Sequence, residues 1–423
     1  MFGKRHYFRG AQELRVILHS DLNNFYASVE TLKNPALKDV PLAVCGNVED
    51  RHGIVLAKNQ LAKSFGVKTG EVLWQAKKKC PKLQTVLADH HSYEEVSKKV
   101  RAIYERFTDQ IEPFGIDECW LDVTHSQKLF GDGEQIANLI RETVKKEIGI
   151  TVSVGVSFNK VFAKLGSDMK KPDGTTVISR ENFKQLIWKM PVEDLLFVGK
   201  ATKNKLNSIG IRTIGEVAKT DVKVLNKLLG VWGDNLYRYA NGLDDSPVEK
   251  RKSEDVKSIG NSLTCYKDLI SFDEVKTLLL LLSEAVASRL RESGLGKAKV
   301  VKITVTDNDL NVFGKQEKLM RPTSSAIEIA NQSYKLFESL YKWERPVRAA
   351  GVSVTDFTLG KEQLSLDIDI IPDKKHDKND RLESAVDDIR RKYGTNAVQR
   401  ARILQDEKLS GTDIKGDPFG KNL

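Results

Sequence analysis

Asp117 and Glu118 stand side by side in EPFGIDECWLDVT (112–124), among Ile116, Cys119, Trp120, Leu121 and Val123. Adjacent carboxylates repel, and burying either costs free energy unless a cation compensates. A pair at a solvated strand end would meet that cost with water; a bound metal ion would meet it with charge. A third carboxylate, Asp21, closes the apolar run LRVILHSD (14–21). Three carboxylates from two strand ends make a hard oxygen site suited to Mg²⁺, which takes a few carboxylates plus substrate phosphate. Two such ions would activate a hydroxyl, steady a leaving oxygen and neutralise charge in an in-line displacement. Strand neighbours point to opposite faces, so residues 117 and 118 reach one ion only if the backbone bends, and Gly115 permits a bend or hairpin there.

The elements that would position these groups are legible as patterns. LRVILHSD reads as a buried strand delivering Asp21 at its end, and NNFYASVE as a helix start with Asn23 as N-cap. KNQLAKSFGVKTG is amphipathic, with Gly66 and Gly70 as helix-end and turn residues. Residues 92–109 carry helical spacing through Val96, Val100, Ile103, Tyr104 and Phe107. ITVSVGV (150–156) alternates and predicts a half-buried strand, followed by the short helix NKVFAKLGSDM, the turn KKPDG and the strand TTVI. Such mixing of strands and helices predicts an α/β or α+β domain. From Pro191 to about Asn241 the pattern is helical and short, and 242–256 is dense in charge without apolar period, as a linker is. A second mixed domain follows, with helices expected at 272–293 and 325–341 and strands at 300–306 and 349–357. In the tail, Leu382, Val386, Ile389 and Tyr393 share one face of a predicted helix, a face expected to dock on the body or on a partner.

Composition narrows the class. The 423 residues allow two to four domains, and no apolar run is long enough to span a membrane. MFGKRHYFRGAQEL lacks the apolar core of a secretory signal, and four scattered cysteines without zinc spacing point to reduced thiols in the cytoplasm. Net charge is +10, which points to a polyanionic partner. Residues 361–423 carry 13 basic and 13 acidic residues, so the excess lies in the body.

HSDLNNFYASVE (19–30), GIDECWLDVT (115–124) and VGVSFNKVFAKLGSDMKKPDG (154–174) resemble the palm motifs of Y-family DNA polymerases, the low-fidelity enzymes that copy past damaged bases. FVGKATKNKLNSIGIRTIGEVAK (197–219) is similar to the thumb helix-hairpin-helix of that family, and VKSIGNSLT (256–264) to the opening of its little finger. The motifs run in the family's order, and the tail resembles the bacterial UmuC/UvrX-type members. The resemblance implies a multidomain α+β right hand: a discontinuous palm (1–24 and 88–180), fingers (25–87), a helical thumb (181–244), a linker (245–256), a mixed α/β little finger (257–360) and a C-terminal tail (361–423).

It also implies roles. Asp21, Asp117 and Glu118 match the metal-binding carboxylates for two Mg²⁺ ions, with Leu22 lending its carbonyl. Tyr26 matches the steric gate that leaves no room for a ribose 2′-OH; without the motif it would read as a core tyrosine. Asn24 and Phe25 would offer backbone N–H groups to a triphosphate, and Lys171 would reach it. Lys63 stands where many members carry arginine, and a lysine cannot form arginine's two-pronged fork. Ala57 and Gln60 stand where others present hydroxyls. In the thumb, Val198, Gly199 and Lys200, with Gly210, would turn N–H groups and charge to a DNA phosphate, or form an ordinary helical hairpin. Lys297, Lys299 and Lys302 would contact duplex, or form a solvated face. Gln363, Leu364 and Leu366 resemble a sliding-clamp-binding peptide, or form an edge strand. Primer-template DNA, dNTPs, the clamp and an activating SOS subunit are the implied partners, with no membrane.

The implied activity is error-prone, DNA-directed DNA synthesis across lesions, as in an SOS response. Two rivals stand beside it: a non-catalytic DNA-binding scaffold that recruits the clamp or repair factors, and another two-metal nucleotidyl enzyme such as a cyclase.

Overall fold

In the computed structural model, residues 15–47, 53–249, 256–358 and 374–411 are described. The strands are β1 (Ile17–Leu22), β2 (Leu42–Cys45), β3 (Val55–Lys58), β4 (Gln84–Leu87), β5 (Ile111–Pro113), β6 (Glu118–Asp122), β7 (Val152–Ser157), β8 (Thr175–Ile178), β9 (Ser258–Leu269), β10 (Ala298–Asp307), β11 (Val312–Thr323) and β12 (Val347–Phe357). Among the described residues they form three sheets, ordered β5-β6-β1-β7-β8, β3-β2-β4 and β11-β10-β12-β9.

In the five-stranded sheet, β1 is buried along its whole length between antiparallel β6 and β7. The alternation in β7 predicts a half-buried strand, yet every residue of it is buried. Val152, Val154 and Val156 pack with Ile136, Ile140 and Val144 of the Gly133–Glu147 helix. The intervening Gly155 lies under the Lys160–Met169 helix so closely that a Cβ there would stand 1.9 Å from the Ala163 carbonyl oxygen. Covered on both faces, a strand needs small residues where a helix backbone presses on it.

The Phe25–Lys33 helix starts one residue later than expected. Asn24, not Asn23, is its N-cap, at φ 50° and ψ 38°. Asn23 is instead a buried tie, donating to Ser153 Oγ at 2.9 Å and accepting from Thr151 Oγ1 at 3.0 Å and the Asp173 N–H at 2.8 Å. The next long helix spans His90–Tyr104, capped by the Asp89 side chain, and ends short of the predicted 109. The small sheet β3-β2-β4 has its own core of Ala43, Val55, Ala62, Leu73 and Ala76, and Gly66 and Gly70 take the positive φ their turns require.

Short helices follow: Phe183–Ile187, Lys200–Ser208, Ile214–Lys219, Val222–Leu229 and Trp232–Ala240. The chain then returns to the first sheet. Val248 is buried with Ile17, Trp120 and Ala163, while Arg15 donates to the Ser246 carbonyl at 2.8 Å. The charge-dense stretch therefore lies packed over 244–249 at several points, where composition alone predicts a loose linker.

The four-stranded antiparallel sheet carries the Phe272–Ser293 and Ala326–Leu340 helices, which bury Leu278 to Leu282, Ile329 and Phe337 against Val301, Ile303, Val352 and Val354. The C-terminal Lys374–Tyr393 helix inverts expectation. Glu383 and Asp387 are buried, while Leu382, Ile389 and Tyr393 are 55%, 41% and 67% exposed. The surface beneath explains this, because the Phe272–Ser293 helix presents Glu284, Ser288 and Arg291. Asp387 pairs with Arg291 at 2.6 Å, Arg390 with Glu284 at 2.7 Å and Arg400 with Glu284 at 2.6 Å. No helix among the described residues is long and apolar enough to cross a membrane.

Candidate active site

Register brings the carboxylates together. In the β1–β6 pair, Asp21 lies opposite Glu118. The Leu22 N–H donates to the Asp117 carbonyl at 3.0 Å, and the Phe114 N–H to the Glu118 carbonyl at 2.9 Å. The chain thus turns between Phe114 and Glu118, the bend that two neighbouring carboxylates need. Arg101 holds the turn by donating to the Gly115 carbonyl at 2.9 Å.

Two lysines from the next elements meet these groups. Lys171 Nζ is 2.7 Å from Asp21 Oδ2 and 2.7 Å from Asp168 Oδ1. Lys164 Nζ is 2.6 Å from Glu118 Oε2. The buried His19 sets Nε2 3.2 Å from the same oxygen and Nδ1 2.8 Å from Ser167 Oγ, and burial lowers its pKa, which favours the neutral ring. Burial raises Asp21 to about 7; Lys171 opposes the rise, and the charges of Glu118 and Asp117 add to it. Asp117 is raised by burial and by Glu118. Burial would also raise Glu118, but His19 and Lys164 outweigh it and bring it to about 2. His19 and Lys164 do not stand out as site residues in the sequence. The period-two signal was present for His19, which shares the Asp21 face of β1.

Among the described residues no three His, Cys, Asp or Glu side chains are drawn into a closed metal cage. The donor set nevertheless fits a hard divalent cation: a buried Asp21 and two partly buried neighbours, with Asp21 and Asp117 both raised by burial and by the Glu118 charge. Lysine ammonium groups hold two of the three.

Tyr26 lies on the first turn of the Phe25–Lys33 helix, its phenol raised to about 12 by burial and by the Asp117 charge. The structure thus brings the ring within electrostatic reach of Asp117. Its ring stacks on Tyr93, with centroids 4.1 Å apart and planes 12° from parallel. Phe25 is buried in the core. Lys63 is exposed on the Gln60–Ser64 helix, and its charge acts on Lys58, which burial and that charge hold below the ordinary lysine range.

A family model described as the impB/mucB/samB family matches residues 20–168, its C-terminal domain matches 256–366, and a DNA polymerase-iota thumb domain matches 193–244. "DNA polymerase IV" of Acetivibrio thermocellus is 52% identical over 94% of this chain and 99% of that protein. "DNA polymerase IV" of Clostridium acetobutylicum is 34% identical over 93% and 99%. The chain belongs to the Y-family of translesion DNA polymerases. The solved Y-family DNA polymerase chimera Dbh-Dpo4(243-245)-Dbh shares the fold, with a TM-score of 0.72 at 24% identity over 81% of this chain and 99% of that one.

The thumb-domain match covers residues 193–244. Phe197 is held at φ 69°. Its ring lies 5.5 Å from that of Trp232. Gly199 caps the Lys200–Ser208 helix, Val198 is buried, Lys200 is exposed and Gly210 takes φ 84° in the second turn. Lys203 pairs with the exposed Glu193 at 2.6 Å.

In the C-terminal family domain, Lys302 lies in a row with Gly260, Ser353 and Gln316 across the outer sheet face. Lys299 pairs with Asp356 at 3.5 Å, and the Lys297 N–H donates to Thr358 Oγ1. Of these lysines, Lys302 is placed squarely on the open face. Gln363, Leu364 and Leu366 lie outside the described residues.

Proposed function

We propose that this Y-family polymerase extends a primer by attack of its 3′-hydroxyl on the α-phosphate of a dNTP, with Asp21, Asp117 and Glu118 at the reacting end. Divalent-metal dependence goes with the family. Asp21, Asp117, Glu118 and the Leu22 carbonyl would hold two Mg²⁺ ions. Bound there, such ions supply Lewis acidity for the hydroxyl and neutralise charge on the phosphate oxygens. The chain's own groups do the rest. Lys171, now on Asp21, is placed to pair with an arriving triphosphate. The Asn24 and Phe25 N–H groups, at a helix start, suit its anionic oxygens. Tyr26 closes the space a 2′-hydroxyl would need. Lys63 adds positive charge from the fingers.

The observation that carries the reading is the register of Asp21 opposite Glu118, beside the hairpin that holds Asp117. The thumb turns at Val198, Gly199, Lys200 and Gly210, and Lys302 on the outer sheet, are the candidate contacts to primer-template DNA. Lys299 and Lys297 stand at the margin of that surface. The tail residues Gln363, Leu364 and Leu366 are a candidate attachment to a sliding clamp, and an activating subunit is a candidate partner.

Primer extension with four dNTPs and Mg²⁺, on undamaged and abasic templates, tests the reading. Extension past the abasic site by the parent, lost in Asp117→Ala with duplex binding retained, is the expected result. Equal binding with no extension by either protein, even with clamp added, favours the scaffold reading instead.

A further inference from the structure

We infer that Tyr93 is a specificity-determining positioning residue, which holds the Tyr26 ring flat and so sets how strongly the site rejects ribonucleotides. The inference rests on the reading of Tyr26 as the sugar gate.

A gate made from one aromatic ring excludes a hydroxyl only if the ring cannot turn or retreat. Tyr26 alone is poorly restrained, because it sits on the first turn of a helix and is only partly buried. Tyr93 supplies the missing restraint. It is fully buried, and its ring backs that of Tyr26 at 4.1 Å and 12°. His90 meets both rings edge-on, each at 5.8 Å. Phe25 closes the group at 5.5 Å from Tyr26 and 6.2 Å from Tyr93.

Tyr93 is itself pinned at its far end. Its hydroxyl donates to Glu30 Oε1 at 2.7 Å and accepts the Asp89 N–H at 3.1 Å. Glu30 is buried one helical turn beyond Tyr26 on the same helix. The helix that carries the gate therefore also carries the acceptor that fixes the backing ring. A ring clamped at both ends cannot slide away when a 2′-hydroxyl presses on Tyr26. Tyr93 is fully buried behind the Tyr26 ring, so it would act through Tyr26 alone.

The test is selectivity, kcat/KM for dNTP over kcat/KM for the matching rNTP, measured by single-nucleotide primer extension. Tyr26→Ala is the benchmark. Tyr93→Leu removes both plane and hydroxyl; Tyr93→Phe keeps the plane and removes the pin. The expected result is a fall in selectivity of about tenfold or more in Tyr93→Leu, with rNTP incorporation rising in absolute terms, and a smaller fall in Tyr93→Phe. A merely structural role would lower both rates together and leave the ratio where it was. Selectivity equal to the parent's in both Tyr93 variants, while Tyr26→Ala loses it, overturns the inference and leaves the gate reading standing. Selectivity unchanged in Tyr26→Ala removes the gate reading, and this inference with it. Should Tyr93→Leu fail to fold, an unchanged ratio in Tyr93→Phe is decisive against the pin.

Discussion

Lys171 Nζ and Asp21 Oδ2 lie 2.7 Å apart, joining residues 150 positions distant in the chain. The same ammonium also reaches Asp168, so Lys171 bridges two carboxylates. Burial disfavours its charge, yet Asp21 and Asp168 hold its pKa above the ordinary lysine value. A cation already seated on Asp21 competes with any divalent ion drawn to that oxygen, and a triphosphate offers the ammonium another partner. Lys171→Met is expected to tighten Mn²⁺ binding to the nucleotide-free protein and to raise the KM for dNTP by about ten- to a hundredfold. Electron paramagnetic resonance titration and steady-state extension check the two halves. Unchanged Mn²⁺ affinity would remove the competition argument.

Asp21 is 6% exposed and faces two other carboxylates, so the metal-free fold carries like charges that Lys171 and Lys164 only partly offset. Asp21→Asn keeps the shape and removes one charge, and Lys171 retains Asp168. At pH 8 without divalent ions the variant is expected to melt at a higher temperature than the parent, by up to a few kcal/mol of stability, while primer extension is lost. Calorimetry with and without Mg²⁺ measures this. A lower melting temperature would mean that the Lys171 pair outweighs the repulsion.

Much of this site was legible because strand ends and helix starts leave local marks. Asp21 closes an apolar run, Gly115 announces the bend, and both fall where hydrogen bonding places the turn and the register. What stayed hidden depends on surfaces that meet across the chain. No local pattern tells that Lys164 falls on Glu118, that Tyr93 backs Tyr26, or that Asn23 is spent on Ser153 instead of a cap. β11 escaped because it is largely exposed, so no apolar alternation marks it. The C-terminal helix misled because amphipathic reasoning assumes an apolar partner, and its partner surface is charged.

Asp89 gives a pH signature. It caps the His90–Tyr104 helix at Ser92 and pairs with Lys33 at 2.8 Å. Hydrogen bonds from Lys33 and Ser92 hold its carboxyl well below the usual aspartate value. The unfolded chain therefore takes up a proton before the folded one, so stability from Asp89 is present above pH 3.8 and is lost as pH falls further. The exposed ion pair contributes little and the cap about 1 kcal/mol. Asp89→Ala is expected to melt below the parent at pH 7, and the gap to narrow below pH 3.8. A gap that widens in acid contradicts this.

In the segment that matches the thumb-domain model, Lys200 is exposed at a helix start and Lys203 is paired with Glu193. Lys200→Ala is expected to weaken duplex binding and to lower the slope of log affinity against log salt by about one. Lys203→Ala, which removes a charge already paired, is expected to change that slope less. Fluorescence anisotropy across a salt series separates them, and equal slopes for the two variants would set aside the assignment of Lys200 to a phosphate.

The C-terminal segment is held by charge in a place where water is scarce. Glu284 is buried and takes both Arg390 and Arg400, while Glu383 takes Arg400 at 3.1 Å and Arg291 at 3.2 Å. Removing one member of such a network leaves its partners buried and uncompensated, which costs about 3–5 kcal/mol in comparable pairs. Glu284→Ala is therefore expected to release residues 374–411, seen as faster amide hydrogen exchange there, with protection of the five-stranded sheet unchanged. Leu382→Ala and Ile389→Ala, on the outward face, are expected to shift stability by no more than about 0.5 kcal/mol. The contrast is decisive, since a segment seated through its apolar face would respond in the opposite order. Exchange that follows Leu382 and Ile389 instead of Glu284 would show that the charged face is not the seat.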